Sequence, residues 1–248
     1  MSSLIFPLIT FPYVSRVLAA EGIGRVAFAT STVSYFLMVA QMGIPTYGIR
    51  ACAQVRDDKA KLTQTVREIF AINAVMSVLA FALLIVATAL VPKFREDRTL
   101  ILIIGTSIFF NLIGVEWLYK GMEEYGFITS RTVLFKAVAL VAMFLLVHQP
   151  QDYVVYGGIT IFAASASSVC NFFHANRFVA RGQCGKLDCR RHLKPIFVFF
   201  AMTCATTIYT NLDTVMLGML TSSTEVGYYN TAVKVKSILI AVVTSTGA

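Results

Sequence analysis

Apolar runs of about twenty residues, parted by short charged stretches, recur along this chain and leave few folds open to it. A helix rises about 1.5 Å per residue, so such a run crosses the roughly 30 Å hydrocarbon layer of a membrane. The runs fall at about 4–18, 26–49, 69–91, 99–119, 127–147, 153–175 and 195–220, and another starts near Val226. Strands of a membrane barrel would be about ten residues long with alternating polarity, and these runs are neither. The expected fold class is all-α, a polytopic transmembrane helical bundle with seven spans and the beginning of an eighth. Only 14% of residues are charged and 57% are hydrophobic, where soluble domains carry about 25% charged residues. A water-facing exterior needs more polar surface than that, and lipid needs none.

The net charge of +8 does not read as a nucleic-acid surface. The positive residues lie between the apolar runs and form no dense stripe with interleaved aromatics. They divide unevenly between the two membrane faces instead. One face holds Arg50, Arg56, Lys59, Lys61, Arg67, Lys120 and Arg131, then Arg177, Arg181, Lys186, Arg190, Arg191 and Lys194. The other holds Arg16, Arg25, Lys93, Arg95 and Arg98. Loops rich in Lys and Arg stay in the cytoplasm, so the first face and the N-terminus are expected there. Trp117 and Tyr119 close the fourth run, where aromatic residues serve as interfacial anchors. Pro7, Pro12 and Pro45 fall inside spans, where bundled membrane helices tolerate proline and bend at it.

Several chemistries find no motif. Five cysteines make an odd count and no disulfide framework. Cys184, Cys189 and His192 share a loop at a spacing that matches no zinc pattern, so no metal is expected. Gly22-Ile-Gly24 lacks the strand and third glycine of a dinucleotide loop, and no Walker A sequence occurs. Neither a cofactor nor a catalytic constellation is expected.

The first two runs meet across Ala19–Gly24, a loop so short that they must be antiparallel neighbours. The pattern returns. Leu18-Ala-Ala-Glu21-Gly-Ile-Gly24 followed by VAFATS parallels the segment from Leu220 through Glu225 and Gly227 followed by YYNTAV. Six spans separate the copies, and an even number restores the orientation of the chain. Parallel repeats of this kind are known among transporters, related by an axis along the membrane normal.

PLITFPYVSRVL, the Glu21–Gly24 turn, GIPTYGIR, RDDKAKL, EWLYKGMEEY, Arg131–Lys136, DYVVY and LDTVMLG with VGYY occur in this order. Together they resemble the Wzx-type O-antigen and exopolysaccharide flippases of the multidrug/oligosaccharidyl-lipid/polysaccharide (MOP) superfamily, over essentially the whole chain. The resemblance implies two six-helix, MATE-like lobes around a central cavity. It also implies passage of an undecaprenyl-diphosphate-linked oligosaccharide from the inner to the outer leaflet of the bacterial inner membrane, alongside the polysaccharide biosynthesis machinery. On that frame 1–176 form the first lobe, 177–194 a basic cytoplasmic connection and 195–248 the first hairpin of a second lobe. Such proteins usually have 12 to 14 spans, so a piece of a longer reading frame is expected, with a clipped first helix.

A flippase must hold a diphosphate within hydrocarbon, and arginine forks or lysine charges do that. Lys136 is the deepest candidate, about ten residues into the fifth run. A charge at midplane costs at least roughly 2.5–3.5 kcal/mol, which a wet cavity relieves better than snorkelling from that depth. Lys234 and Lys236 are similar in the last run. Arg16 reads equally as an interfacial snorkel or a substrate contact. The topology rule explains Arg50 fully, and a capture point for the diphosphate is its second reading. Glu116 and Asp213, near span ends, pair with a cation or a coupling proton or sodium, or are solvated ends. His148 and His174 need no functional account. A drug/cation antiporter of the same superfamily would instead want buried acids in its first lobe. A membrane polymerase or glycosyltransferase would want a large polar loop or an acid cluster, and a membrane scaffold would want no cationic cavity.

Overall fold

The computed structural model describes residues 2–175, 177–179 and 187–246, with side chains described at 6, 9–175, 177–179 and 187–240. Every regular element among them is helical: α1 (Ser2–Val17), α2 (Ala19–Gln41), α3 (Ile44–Gln54), α4 (Lys59–Leu90), α5 (Pro92–Glu96), α6 (Arg98–Gly105), α7 (Ser107–Gly114), α8 (Glu116–Gly121), α9 (Tyr125–Leu146), a 3-10 turn at Pro150–Asp152, α10 (Tyr153–Ala175), α11 (Arg190–Leu220) and α12 (Ser223–Thr246). Five helical segments are long and apolar enough to cross a membrane: 19–54, 59–90, 125–146, 150–175 and 190–220. Val75, Val78, Leu79, Val86 and Leu90 on α4, and Leu134, Val141, Leu145 and Leu146 on α9, turn outward and are exposed. Water does not tolerate apolar faces of that extent, and lipid does. The protein is a multi-pass helical membrane bundle.

The structure differs from the sequence expectation at four places, three of them breaks between helices. The first hairpin has no six-residue loop: α2 already begins at Ala19, whose φ of +54° turns the chain in one step beside buried Leu18. Arg25 therefore lies within a helix. The second run is two helices, because Met42 (φ +43°) and Gly43 (φ +73°) both adopt the left-handed region. A Cβ on Gly43 would also lie 2.5 Å from the Phe200 backbone nitrogen, so glycine suits both its backbone and its neighbour. Pro45 then sits in the first turn of α3, where its missing N–H costs nothing, and it bends no span. The fourth run is split into α6, α7 and α8, the last break falling at Val115 with φ +35°.

Trp117 and Tyr119 are the fourth correction. They are 4% and 0% exposed and pack in the cluster around Ile44, Leu62, Ile69 and Ile196, not at an interface with lipid head groups. The Tyr119 hydroxyl donates to the Asn171 carbonyl at 2.6 Å, and its ring lies among Phe127, His174 and Phe178. Composition marks them as amphipathic, and helix packing spends that property inside the protein.

α2 is the central helix, flanked by α4, α6, α11 and α12. A core around Phe28, Leu84, Ile101, Ile104 and Val226 ties these together. Because lipid is as apolar as the core, association rests on close packing and polar contacts more than on hydrophobic transfer. Gly24 and Gly227 show this most directly. A Cβ on Gly24 would lie 1.7 Å from the Ser223 carbonyl oxygen, and one on Gly227 would lie 1.8 Å from the Ala20 carbonyl oxygen. The contact is reciprocal, each glycine facing the residue four positions before the other. These are the glycines that the sequence parallel aligned.

Polar contacts close both ends of the bundle. At the hairpin end, Arg25 binds Asp97 at 2.9 Å and Glu21 at 2.8 Å, joining α2 to the corner between α5 and α6. There Asp152 also accepts the backbone N–H groups of His148 and Gln149 at 2.9 Å each. At the Lys/Arg-rich end, Asp58 caps α4 by accepting from Ala60 and Lys61. Ten residues on, Glu68 is fully buried. It accepts from Gln64 (3.0 Å), the Asp188 N–H (3.0 Å), Arg191 (2.6 and 2.8 Å) and His192 (2.8 Å). His192 reaches Tyr47 of α3 through its other ring nitrogen at 2.6 Å. His192, placed at sequence level beside two cysteines, thus belongs to a carboxylate cluster. Cys184, Arg181 and Lys186 lie outside the described residues.

Candidate functional site

Three hollows run along one face of α10. The largest, about 300 Å³, opens between α7, α9 and α10, where Arg131, Lys136, Glu116, Ser165, Ser168 and Asn171 are among its lining residues. A second of about 230 Å³ shares Lys136 and Thr160 with the first and adds Phe6, Thr10 and Tyr156. A third of about 240 Å³ shares Tyr156 and Thr160 with the second, and Asn230 and Lys234 of α12 line it with Thr30 of α2. Shared walls make these neighbours in a row. Arg131 stands at one end, Lys136 between the first two hollows and Lys234 at the other end.

The residues of the row are placed by helix periodicity. Thr160, Ala164, Ser168 and Asn171 recur at three- and four-residue spacing, so α10 presents a small and polar stripe to α7 and α9. Asn171 organises its lower end. Its amide donates to the Gly114 carbonyl at 2.6 Å, a group that the break at Val115 leaves without a helical partner. Its amide oxygen accepts from Arg131, and its main-chain carbonyl from Tyr119. A helix interruption, a buried guanidinium and a polar stripe therefore converge on one asparagine.

Neither lysine of the row meets a carboxylate at ion-pair distance among the described residues. The Lys136 Nζ lies 5.8 Å from the Phe6 ring centre and the Lys234 Nζ 5.0 Å from that of Phe11. Both rings belong to α1, five residues apart. Cation–π contacts of this kind give about 0.5–2 kcal/mol, less than a charged hydrogen-bonded partner inside a protein gives. Two cations that face aromatic rings and no carboxylate among the described residues are ready to exchange those rings for an anion.

The other residues singled out from the sequence lie elsewhere. Arg16 is exposed at the end of α1 and Arg50 is exposed on α3 at the opposite end of the bundle, and neither lines the three hollows. Glu116 is exposed at the rim of the first hollow and pairs with Lys120 at 3.4 Å. Asp213 is exposed and accepts from the Tyr229 hydroxyl at 2.8 Å, a contact between α11 and α12. In the sequence Arg131 and Tyr156 belong to stretches that carry the resemblance, with Arg131 otherwise a topological charge, and Thr160, Asn171 and Asn230 carry no assigned role. The stripe on α10 was the available signal, since its spacing is visible without coordinates.

A model of the polysaccharide biosynthesis protein family matches residues 1–248. An Escherichia coli (strain K12) protein named "Putative O-antigen transporter" is 27% identical over 243 residues, 96% of this chain and 58% of that protein. A Shigella dysenteriae protein of the same name is 22% identical over 241 residues, 95% of this chain and 59% of that protein. The chain thus spans less than two thirds of the length of these relatives. No solved structure matches it.

Proposed function

The chain belongs to the polysaccharide biosynthesis protein family, and from that premise we propose that it serves to flip a lipid-linked oligosaccharide across the bacterial inner membrane. The carrier lipid is an undecaprenyl diphosphate, and the role is transport, not catalysis. The single observation that carries the reading is the row of hollows with Lys136 and Lys234 inside the helical bundle. A midplane cation is costly, and an anionic head group passing along the row compensates it. Small-molecule sites start at about 300 Å³, so hollows of 230 to 300 Å³ suit a head group and not a sugar chain. The sugars require the helices around the row to part.

The parting fits two lobes, 1–176 and one beginning at 195, that move against each other. The reciprocal approach of Gly24 and Gly227 supports such a pair of related units. In this arrangement the Lys/Arg-rich end and the N-terminus face the cytoplasm. Arg50, exposed at that end, is placed to meet the diphosphate in the inner leaflet, and Arg16 to meet it near the outer one. The drug/cation antiporter reading draws no support from Glu116 and Asp213, which are exposed and already partnered, nor from the buried first-lobe acid Glu68, which Arg191 and His192 hold.

The test uses the reading frame that encodes this chain, expressed in a bacterium that depends on it for surface polysaccharide. A charged hydrogen bond contributes about 1.5–3 kcal/mol, so Lys136→Ala or Lys234→Ala is expected to lower surface polysaccharide about tenfold or more at equal membrane abundance. Normal polysaccharide from both variants, and from their combination, would overturn the assignment.

A further inference from the structure

Arg131 is buried, with 8% of its surface exposed, and its guanidinium lies 5.6 Å from the Phe127 ring centre, yet it lacks the carboxylate partner that buried arginines require. One guanidinium nitrogen donates to the Asn171 amide oxygen. The Nε, fully enclosed, has no hydrogen-bond partner. No carboxylate lies within ion-pair distance of it among the described residues, and the nearby acid, Glu116, is drawn to Lys120 instead. Removing a cation from water without a counter-ion is one of the more expensive acts in folding. Such a charge persists where something else neutralises it.

The surroundings say what that is. Arg131 lines the 300 Å³ hollow together with Lys136, and Ser165 stands on the α10 wall. The Ser165 hydroxyl is likewise buried without a partner. Lys120 offsets the Glu116 carboxylate at the rim, so the hollow keeps a net positive lining. Two orphaned donors of different chemistry, a guanidinium Nε–H and a hydroxyl, lie in the wall of one cavity with a lysine, and the lining carboxylate, Glu116, is paired with Lys120. That sign favours an anion over metal ions and cationic ligands. A planar guanidinium suits tetrahedral oxyanions, whose oxygens accept several donors at once.

We infer that this hollow is a phosphate-type oxyanion site, anchored by Arg131 and completed by Lys136 and Ser165. It takes a phosphate ester or diphosphate carried on a membrane lipid. The inference deepens the transport reading and rests on it for the cargo diphosphate as one source; an anionic phospholipid resident between α7, α9 and α10 is the other. Asn171 acts as a positioning residue, because it orients the guanidinium while holding the Gly114 carbonyl away from the ligand.

Binding is measured on the purified chain in phosphatidylcholine nanodiscs, with farnesyl diphosphate as a soluble probe and phosphatidylglycerol-containing discs as the second arm. Arg131→Gln is expected to weaken farnesyl diphosphate binding at least tenfold, and Arg131→Lys to recover part of it. Ser165→Ala removes a hydroxyl that has no protein partner, so it is expected to leave the fold intact or firmer while weakening binding several-fold. It keeps the test decisive should the arginine variants fail to fold. Arg131-dependent binding of farnesyl diphosphate assigns the cargo head group, and Arg131-dependent retention of phosphatidylglycerol alone assigns a resident lipid; either supports the site. Unchanged affinity for both lipids in folded Arg131→Gln and in Ser165→Ala overturns it. Binding is read without transport, so the two readings fail separately. Intact binding with export indifferent to Lys136 and Lys234 removes only the flippase reading, and export that needs those lysines with no Arg131-dependent binding removes only this site.

Discussion

Glu68→Ala is expected to cost about 3 kcal/mol of stability and to release the start of α11 from α3 and α4. The carboxylate is fully buried and gathers four partners, Gln64, Asp188, Arg191 and His192, at 2.6 to 3.0 Å. Alanine leaves the Asp188 N–H and the His192 ring without an acceptor, and an arginine without its counter-charge. The Arg191 side chain is 47% exposed, so water recovers part of its loss, which keeps the figure at the lower end of the range for broken buried pairs. Glu68→Gln preserves an acceptor and the side-chain shape, and is expected to lose roughly half as much. The check is the thermal unfolding midpoint in detergent, combined with hydrogen exchange at 190–196. Faster exchange there, with the hairpin end unchanged, locates the effect. A Glu68→Ala protein with the parent midpoint would show that the cluster holds nothing together.

Gly24→Ala and Gly227→Ala are expected to separate α2 from α12. The added carbon of the first would sit 1.7 Å from a carbonyl oxygen and 2.8 Å from the Gly227 nitrogen, and that of the second 1.8 Å from another carbonyl oxygen. The obstructing atoms are backbone, so no side-chain rotation relieves the clash and the helices themselves must move. Overpacking commonly costs about 1–3 kcal/mol, and here the upper end applies to each substitution. One shift makes room for both carbons, so the double variant is expected to cost clearly less than the sum of the two. Unfolding midpoints of the single and double variants measure this. Additive losses would mean that the two glycines sit in separate contacts, and no loss would mean that the helices do not touch as described. In the transport reading the same variants also loosen the contact between the two lobes, so they lower export along with stability.

Much of the molecule was legible before any coordinates. The lipid-facing stretches of α4 and α9 are apolar along their length, and hydropathy reports that directly. Lys136 stood out because a lysine ten residues inside an apolar run is deep by arithmetic alone, and it does line two hollows. The Glu-Gly parallel between 18–24 and 220–227 marked Gly24 and Gly227 before their backbones were seen to meet. Glu68, by contrast, closes a charged stretch and looks solvated. Its main partners are 120 to 124 positions away, and no local pattern encodes a contact at that separation. Arg131 was hidden for the same reason: a charge near a helix start reads alike whether it faces water, a carboxylate or an empty hollow.

The sequence by itself determined that this is a helical membrane bundle. That conclusion needs only local physics, since a helix satisfies its own backbone hydrogen bonds and lipid demands that they be satisfied. Where the helices break, at Met42–Gly43 and Val115, was decided by tertiary structure, because left-handed residues other than glycine persist only where neighbours hold them. Tertiary structure also decided that Trp117 and Tyr119 go inside, that Glu68 is paired, and that Arg131 is not. Burial and pairing are properties of which faces meet, and helices distant in the chain settle that only when they pack.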